Sequence, residues 1–320
     1  MAKTDRSLAG EVVAITGGAR GIGRATAAIL IAQGARVAIG DIDAELAQRT
    51  AAELGSGTLG LALDVTDSAS YERFIEQVEL QLGPLDILIN NAGIMPIGPF
   101  VEETEATARR MVDINLHGVI NGSKLALKRF VPRGRGHLVN LASIAGKGGA
   151  PNGATYCATK HAVVGLSDAL RQEVRRAGVK VSVVMPIGVN TELYSGATQM
   201  RGLKTPEPED VARSILEALQ TGRFAVYVPR AMGATIRLNA LMPLRLADVF
   251  AKLLKVDQTL STPDHKARAA YEARITETVA AAQRPTVAIE PTVAIEPAIA
   301  VDPEVVIDSS AAPEPEKEAV

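Results

Sequence analysis

From Glu11 to Pro186 the chain repeats a two-part unit, a short apolar run followed by a longer stretch with helical spacing. The short runs are Glu11–Thr16, Arg36–Gly40, Leu59–Leu63, Leu85–Ile89, Arg135–Ala142 and Lys180–Met185, the last ended by Pro186. Short apolar runs of this kind, several of them β-branched, have the pattern of buried strands. Helical period is plainest in Ser68–Leu82, where Tyr71, Phe74, Ile75, Val78 and Leu82 recur before the Gly83-Pro84 breaker. Helices are also expected from Ile22 to Gln33, from about Thr104 to Phe130, and from Ala154 to about Arg176. Strand–helix alternation predicts an α/β fold: a doubly wound parallel sheet, helices on both faces, ligands at the C-terminal ends of the strands.

The turns after the strands carry the chemistry. Thr16-Gly17-Gly18-Ala19-Arg20-Gly21-Ile22-Gly23 joins the first strand to the first helix. In that context backbone N–H groups and a helix N-terminus can hold a pyrophosphate, although a glycine-rich turn alone is as readily an ordinary tight turn. The second strand ends at Asp41, about where a carboxylate would meet adenosine ribose hydroxyls. The third ends at Asp64-Val65, the fourth runs into Asn90-Asn91-Ala92-Gly93, and the fifth delivers Ser143. From Ser143 to Lys160 a hydroxyl and a glycine-rich loop lead to Tyr156 and Lys160, four residues apart. On a helix those two side chains lie one above the other. An ammonium beside a phenol favours the phenolate, so such a tyrosine could pass a proton near neutral pH. Taken alone, Tyr-x-x-x-Lys is more often a plain helix-surface pair.

The ordered set resembles the classical short-chain dehydrogenase/reductase family, over roughly Ser7 to Pro229. The matching residues are Thr16-Gly17-x3-Gly21-x-Gly23, Asp64, Asn90-Asn91-Ala92-Gly93, Asn115, Ser143, Tyr156-x3-Lys160, and Pro186 with Thr191. The resemblance implies a single Rossmann-type domain (1–229) of seven strands, the last at Phe224–Val228 after a helix Pro208–Thr221. It implies NAD(P)-dependent interconversion of an alcohol and a ketone or aldehyde, and a homo-oligomer built through helices 104–130 and 154–176. Tyr156 would be the acid/base. Lys160 would lower its pKa and bind the nicotinamide ribose. Ser143 would hydrogen-bond the substrate oxygen, and Asn115 would hold a relay water. Gly17, Gly21 and Gly23, with Thr16, Arg20 and Ile22, would surround the cofactor's pyrophosphate. Asp64 and Val65 would meet the adenine, Asn91, Ala92 and Gly93 the nearby cofactor face, and Pro186 and Thr191 the nicotinamide. In one departure, Ile187 stands between Pro186 and Gly188 where the family usually has Pro-Gly.

Other roles stay open for several of these residues. Asn115 could be a packing group, Ser143 a strand-end cap, and Asp64 a helix cap, though Asp67 or Ser68 would serve. His137 and His161 match no family role, and Cys157 is expected to face away from Tyr156. For the cofactor, Asp41 favours NAD by bonding the ribose 2′-hydroxyl and repelling a 2′-phosphate, whereas Arg20 could pair with that phosphate. NAD is expected over NADP.

Composition narrows the alternatives. A net charge of −2 gives no basic surface for nucleic acid, and 3% aromatic residues with no Trp argue against a base-stacking platform. The single cysteine, Cys157, excludes an internal disulfide and a cysteine-cluster metal site, so no metal is expected. No basic-then-apolar leader opens the chain and no run reaches the roughly 18 apolar residues of a spanning helix, so a soluble, cytoplasmic protein is expected. From Arg284 on, eight acids face two bases, so the tail carries −6 and the body +4. PTVAIE occurs at Pro285–Glu290 and again at Pro291–Glu296, and residues 284–320 read as a disordered tail.

Residues 190 to about 205 should form a substrate lid. Leu193, Tyr194 and Met200, facing Met95, Pro96 and Ile97, make it apolar and suggest a lipid- or steroid-like alcohol or ketone. A helical extension is expected over 230–283. Its segment 230–255 mixes Leu and Met with Arg230, Arg237, Arg245, Lys252 and Lys255, which suits peripheral contact with a membrane or a cover over the active-site mouth. A catalytically silent dinucleotide-binding protein is the rival function, but binding alone would not need the Asn115, Ser143, Tyr156 and Lys160 set.

Overall fold

The computed structural model describes residues 6–198, 204–243, 245–246, 260 and 264–282. Seven strands form one parallel sheet in the order β3-β2-β1-β4-β5-β6-β7. They are β1 (Val12–Thr16), β2 (Arg36–Asp41), β3 (Leu59–Ala62), β4 (Ile87–Asn90), β5 (His137–Leu141), β6 (Lys180–Pro186) and β7 (Ala225–Val228). In the sheet's centre Ile15 pairs with Ile39 on one side and Ile89 on the other. Strands β1, β4 and β5 are buried along their whole length. Covering both faces explains why these strands read as apolar runs rather than alternating ones.

The core is two layers divided by the sheet. Val13 and Ile15 of β1 point into one layer, with Leu30 of α1 (Gly21–Ala32) and Ile215 and Leu219 of α7 (Pro208–Thr221). Val12 and Ala14 point into the other, with Tyr71 and Phe74 of α3 (Ser68–Leu82) and Phe130 of α5 (Gly118–Arg133). Neighbouring residues in a strand face opposite ways, so one strand serves both layers. Each fully buried side chain of that size contributes about 1.5–3 kcal/mol. Helix α6 (Ala154–Val174) sets Val163 and Val164 against Val183 and Met185 of β6.

Two helical regions differ from the sequence pattern. Helix α2 (Ala44–Leu54) was not among the expected elements, although Asp43 caps it by accepting the Leu46 N–H at 3.0 Å and Gly55 ends it at φ 66°. The single helix expected over 104–130 is α4 (Glu105–Val112), one π-helical turn at Asp113–His117, and then α5. That turn carries Asn115, whose side chain bonds the backbone of Ile94, accepting its N–H at 2.8 Å and donating to its carbonyl at 2.9 Å. A wide turn held by a distant backbone has no local sequence signature, and such turns often mark functional sites.

Beyond β7 come α8 (Met232–Leu241), with Leu238 and Leu241 exposed, and α9 (His265–Ala282). Helix α9 lies in the same compact unit as the sheet. Among the described residues no helix is long and apolar enough to cross a membrane. The expectations for residues 284–320, for Met200 and for 247–255 fall outside the described residues.

Candidate active site

Strand order reverses between β1 and β4, and a cleft opens there at the strands' C-terminal ends. On one side Gly17 and Gly21 take φ values of 61° and 52°, a left-handed backbone that glycine adopts without strain. A Cβ on Gly17 would stand 2.9 Å from the Ala92 Cα, so the turn can touch the loop after β4 only as glycine. Helix α1 then begins with no side-chain cap and no acid in its first turn, leaving its leading N–H groups for another anion.

Thr16 and Asn91 brace this turn from behind. Thr16 Oγ1 accepts the N–H groups of Asn91 and Ala92, each at 3.0 Å, while Asn91 Nδ2 donates to the carbonyls of Thr16 and Gly17 at 2.8 and 2.9 Å. A Cβ on Gly23 would meet the Gly17 carbonyl at 2.3 Å, so Gly23 lets the helix pack under its own turn.

A cavity of about 290 Å³ fills the cleft, lined by Gly17, Arg20, Gly21, Ile22, Asp41, Asp64, Val65, Asn91, Ala92, Gly93, Thr191 and Leu193 among others. Thr16, Gly23, Pro186, Tyr156 and Lys160 are not among the lining residues. Asp41 accepts the N–H groups of Ala19 and Asp43, both at 3.3 Å; burial pushes its carboxyl up and these bonds pull it back. Arg20 reaches Asp43 and Glu192, each at 3.4 Å. Asp64 accepts from the Thr66 N–H and hydroxyl at 2.9 and 2.7 Å, and it is Asp67 that caps α3. An uncapped helix N-terminus, a glycine turn and a carboxylate at the end of β2 suit a pyrophosphate flanked by a ribose diol.

Beyond Gly93 lies the Tyr156 group. Ser143 follows β5, accepts the Ala145 N–H at 3.1 Å and donates to the Pro186 carbonyl at 3.4 Å. It therefore caps a short turn and also faces Tyr156. Burial pushes the Tyr156 phenol well above its usual range, with the Ser143 hydroxyl pulling it back and the neighbouring Tyr271 and Cys157 raising it further. Burial likewise pulls Lys160 down to about 8. Lys160 Nζ sits 5.6 Å from the Tyr156 ring centre and donates to the Leu141 carbonyl at 3.0 Å. The near-neutral phenol expected from the pair is thus outweighed by burial, because the ammonium faces the ring and a carbonyl. Asn115 also donates to Thr159 Oγ1 at 3.3 Å, which ties the π-turn to α6. A Cβ on Gly93 would stand 3.2 Å from Asn115 Oδ1 and 3.7 Å from Lys160 Nζ, so Gly93 separates the two halves of the site by backbone alone.

Tyr156 is packed in an apolar cluster with Met95, Met111 and Leu260, and Leu193 and Tyr194 join its edge. Ile187 is buried and its N–H extends the ladder to Val228 at 2.9 Å, so the departure from Pro-Gly continues β6 by one residue. Gly188 then meets the Tyr194 ring, which a Cβ would approach to 2.0 Å. Cys157 is buried, and His161 Nδ1 lies 2.8 Å from its carbonyl. Sequence pattern alone did not mark Arg110, Tyr271, Arg274 or Ile275, all of which line the cavity. The last three lie on α9, whose apolar residues form no stripe that would announce a docked face.

The short chain dehydrogenase family profile matches residues 11–202. The chain is similar to a sorbitol dehydrogenase of Cereibacter sphaeroides, 40% identical over 190 residues that cover 59% of this chain and 74% of the relative. It is similar to a 3-alpha-(or 20-beta)-hydroxysteroid dehydrogenase of Mycobacterium bovis, 32% identical with 69% of this chain and 83% of the relative covered. Among solved structures, a short chain dehydrogenase/reductase from Burkholderia phymatum in complex with NAD superposes with a TM-score of 0.68 at 27% identity, covering 73% of this chain and 94% of the other. Fold, glycine turn and profile coincide on the same residues, and the chain belongs to the short-chain dehydrogenase/reductase family.

Proposed function

We propose that this protein is an NAD-dependent dehydrogenase/reductase that interconverts an apolar alcohol and its ketone or aldehyde, with Tyr156 as acid/base. The observation that carries this is Tyr156 buried beside Ser143 and Lys160, next to Gly93 and Tyr271 of the cavity lining. A bound nicotinamide dinucleotide supplies or accepts the hydride. Gly17, Gly21 and the open end of α1 hold its pyrophosphate, and Asp41 its adenosine ribose. Arg20 is engaged by Asp43 and Glu192, which leaves the Asp41 carboxylate to discriminate against a 2′-phosphate.

A tyrosine kept neutral by burial is a proton donor at neutral pH, so Tyr156 protonates the carbonyl oxygen during reduction. The Ser143 hydroxyl, whose proton goes to the Pro186 carbonyl over a long 3.4 Å bond, turns to donate to that same oxygen. Lys160, pulled to about 8, exchanges a proton readily and restores the phenol. Asn115 spends its amide on Ile94 and Thr159, which leaves a second lone pair on Oδ1 for a relay water. The Met95, Met111 and Leu260 surroundings favour an apolar substituent on the substrate.

The test is nicotinamide absorbance on sterols, apolar alcohols and their ketones, with NAD(H) and NADP(H) in parallel, for wild type and Tyr156→Phe. Turnover should favour NAD and fall about 10²–10⁴-fold in the mutant while NADH binding persists. Undiminished turnover in Tyr156→Phe would remove the tyrosine from the mechanism, and a preference for NADP would overturn the role given to Asp41.

A further inference from the structure

Helix α9 is bonded to two of the segments that border the cavity, the loop after β4 at Met95 and the stretch 192–196 after β6. Arg268 is fully buried, and its guanidinium donates to the carbonyls of Leu193 at 3.2 Å, Ser195 at 2.8 Å and Met95 at 2.9 Å. It also meets Glu272 at 3.2 Å and lies 5.0 Å over the Tyr271 ring. One turn on, the Tyr271 hydroxyl accepts the Met95 N–H at 2.7 Å. Arg274 donates to Glu192 Oε2 at 2.5 Å, the oxygen that Arg20 of the glycine turn also reaches at 3.4 Å. At its start, Asp264 donates its N–H to the Gly196 carbonyl at 2.8 Å, and a Cβ on Gly196 would come within 2.5 Å of the Asp264 carbonyl.

Tyr271, Arg274 and Ile275 are spaced i, i+3, i+4 on one helical face, and all three line the cavity. Tyr271 stands at the Tyr156 end, where its phenol adds to the cost of ionising Tyr156. Arg274 stands toward the glycine turn, joined to it through Glu192. A buried guanidinium that spends its donors on two separate loops binds them into one body, because each carbonyl would otherwise be buried without a partner.

We propose that α9 is the outer wall of the dinucleotide cleft. Tyr271, Arg274 and Ile275 contact the bound cofactor, and Arg268 is the positioning residue that holds this wall on the Met95 and Leu193–Ser195 loops. The proposal rests on the cavity being the NAD site. Cofactor release then requires the Arg274–Glu192–Arg20 chain to part and α9 to lift.

The test uses the full chain and NADH fluorescence, with equilibrium titration for affinity and stopped-flow displacement by excess NAD for release. Arg274→Gln removes a half-exposed charge and keeps the fold; it should release NADH about tenfold faster, since losing one partner of a close charge pair acts mainly on dissociation. Wild-type release should quicken with added sodium chloride, and Arg274→Gln should be insensitive to it. Arg268→Lys keeps a buried cation but loses the fork. It should weaken NADH binding and raise amide hydrogen exchange in 192–197 and 265–282 together. If Arg268→Lys fails to fold, Arg274→Gln and Tyr271→Phe carry the test. NADH release unchanged in Arg274→Gln and Tyr271→Phe would overturn the proposal while leaving the cofactor site standing. No NADH binding by wild type would overturn the cofactor site, and the wall with it.

Discussion

Acidification should destabilise this protein through one histidine outside the active site. His137 opens β5, is wholly buried, and places Nε2 2.8 Å from Ser182 Oγ. Ser182 gives its only proton to the Arg223 carbonyl at 2.6 Å, so the histidine must be the donor in the Nε2 contact. The neutral ring then leaves Nδ1 as a buried acceptor with no partner among the described residues. Adding a proton there would create a buried, unpaired charge. Burial, then the positive charges of Arg6 and Lys180, hold His137 down at about 3 against an ordinary value of 6.5. An unfolded chain takes up that proton below pH 6.5 while the fold refuses it until about pH 3. His137 thus favours the fold fully above 6.5, and that stability drains away between 6.5 and about 3. Linkage puts the whole loss at about 5 kcal/mol, of which about 2 kcal/mol falls between pH 7 and pH 5. Urea unfolding followed by circular dichroism at those two pH values measures it, with His137→Leu as the non-titrating control. The control should lose about 2 kcal/mol less than wild type over the interval. Parallel losses in the two proteins would refute the argument.

Alcohol oxidation needs Tyr156 to accept a proton, so its kcat/KM should climb from neutral into alkaline pH, while ketone reduction, which uses the neutral phenol, should not lose it over the same range; an oxidation plateau already reached below neutrality would contradict the burial effect. Gly188→Ala should lower thermal stability by about 1–3 kcal/mol and raise KM, since its methyl would displace the Tyr194 ring; thermal unfolding and steady-state kinetics read both. Tyr71→Phe removes the buried 2.6 Å bond to Asn90 Oδ1 between α3 and β4. It should cost about 1–3 kcal/mol in urea unfolding with the secondary structure unchanged.

Where local chemistry decides structure, the pattern and the fold agree closely. Ser68–Leu82 is a helix with the bounds its period predicts, and Pro208–Thr221 is a helix with the bounds the family resemblance implies. The six apolar runs are all strands, differing from expectation by no more than two residues at their ends. Glycine needs at Gly17 and Gly21 were legible because a strand–turn–helix junction demands a left-handed backbone. Asp43 and Gly55 bracket α2 just as legibly, by a side-chain cap at one end and a glycine at the other. The π-turn at Asn115 differs in kind, since its cause is the backbone of Ile94, distant in the chain.

By itself the sequence determined the alternation of strands and helices, the turns at their ends, and which side chains stand at the strands' C-terminal edge. Periodicity and turn chemistry act over a few residues, so they are written in the residues themselves. Only the tertiary structure decided that burial would outweigh Lys160 at Tyr156, that Arg20 would be taken up by two acids, and that α9 would close the cleft. Burial depends on everything packed around a group. Helix α9 docks chiefly through Arg268 and Tyr271 on the backbone of loops far away in the chain. Every residue offers a carbonyl, so no pattern of side chains could have named those partners.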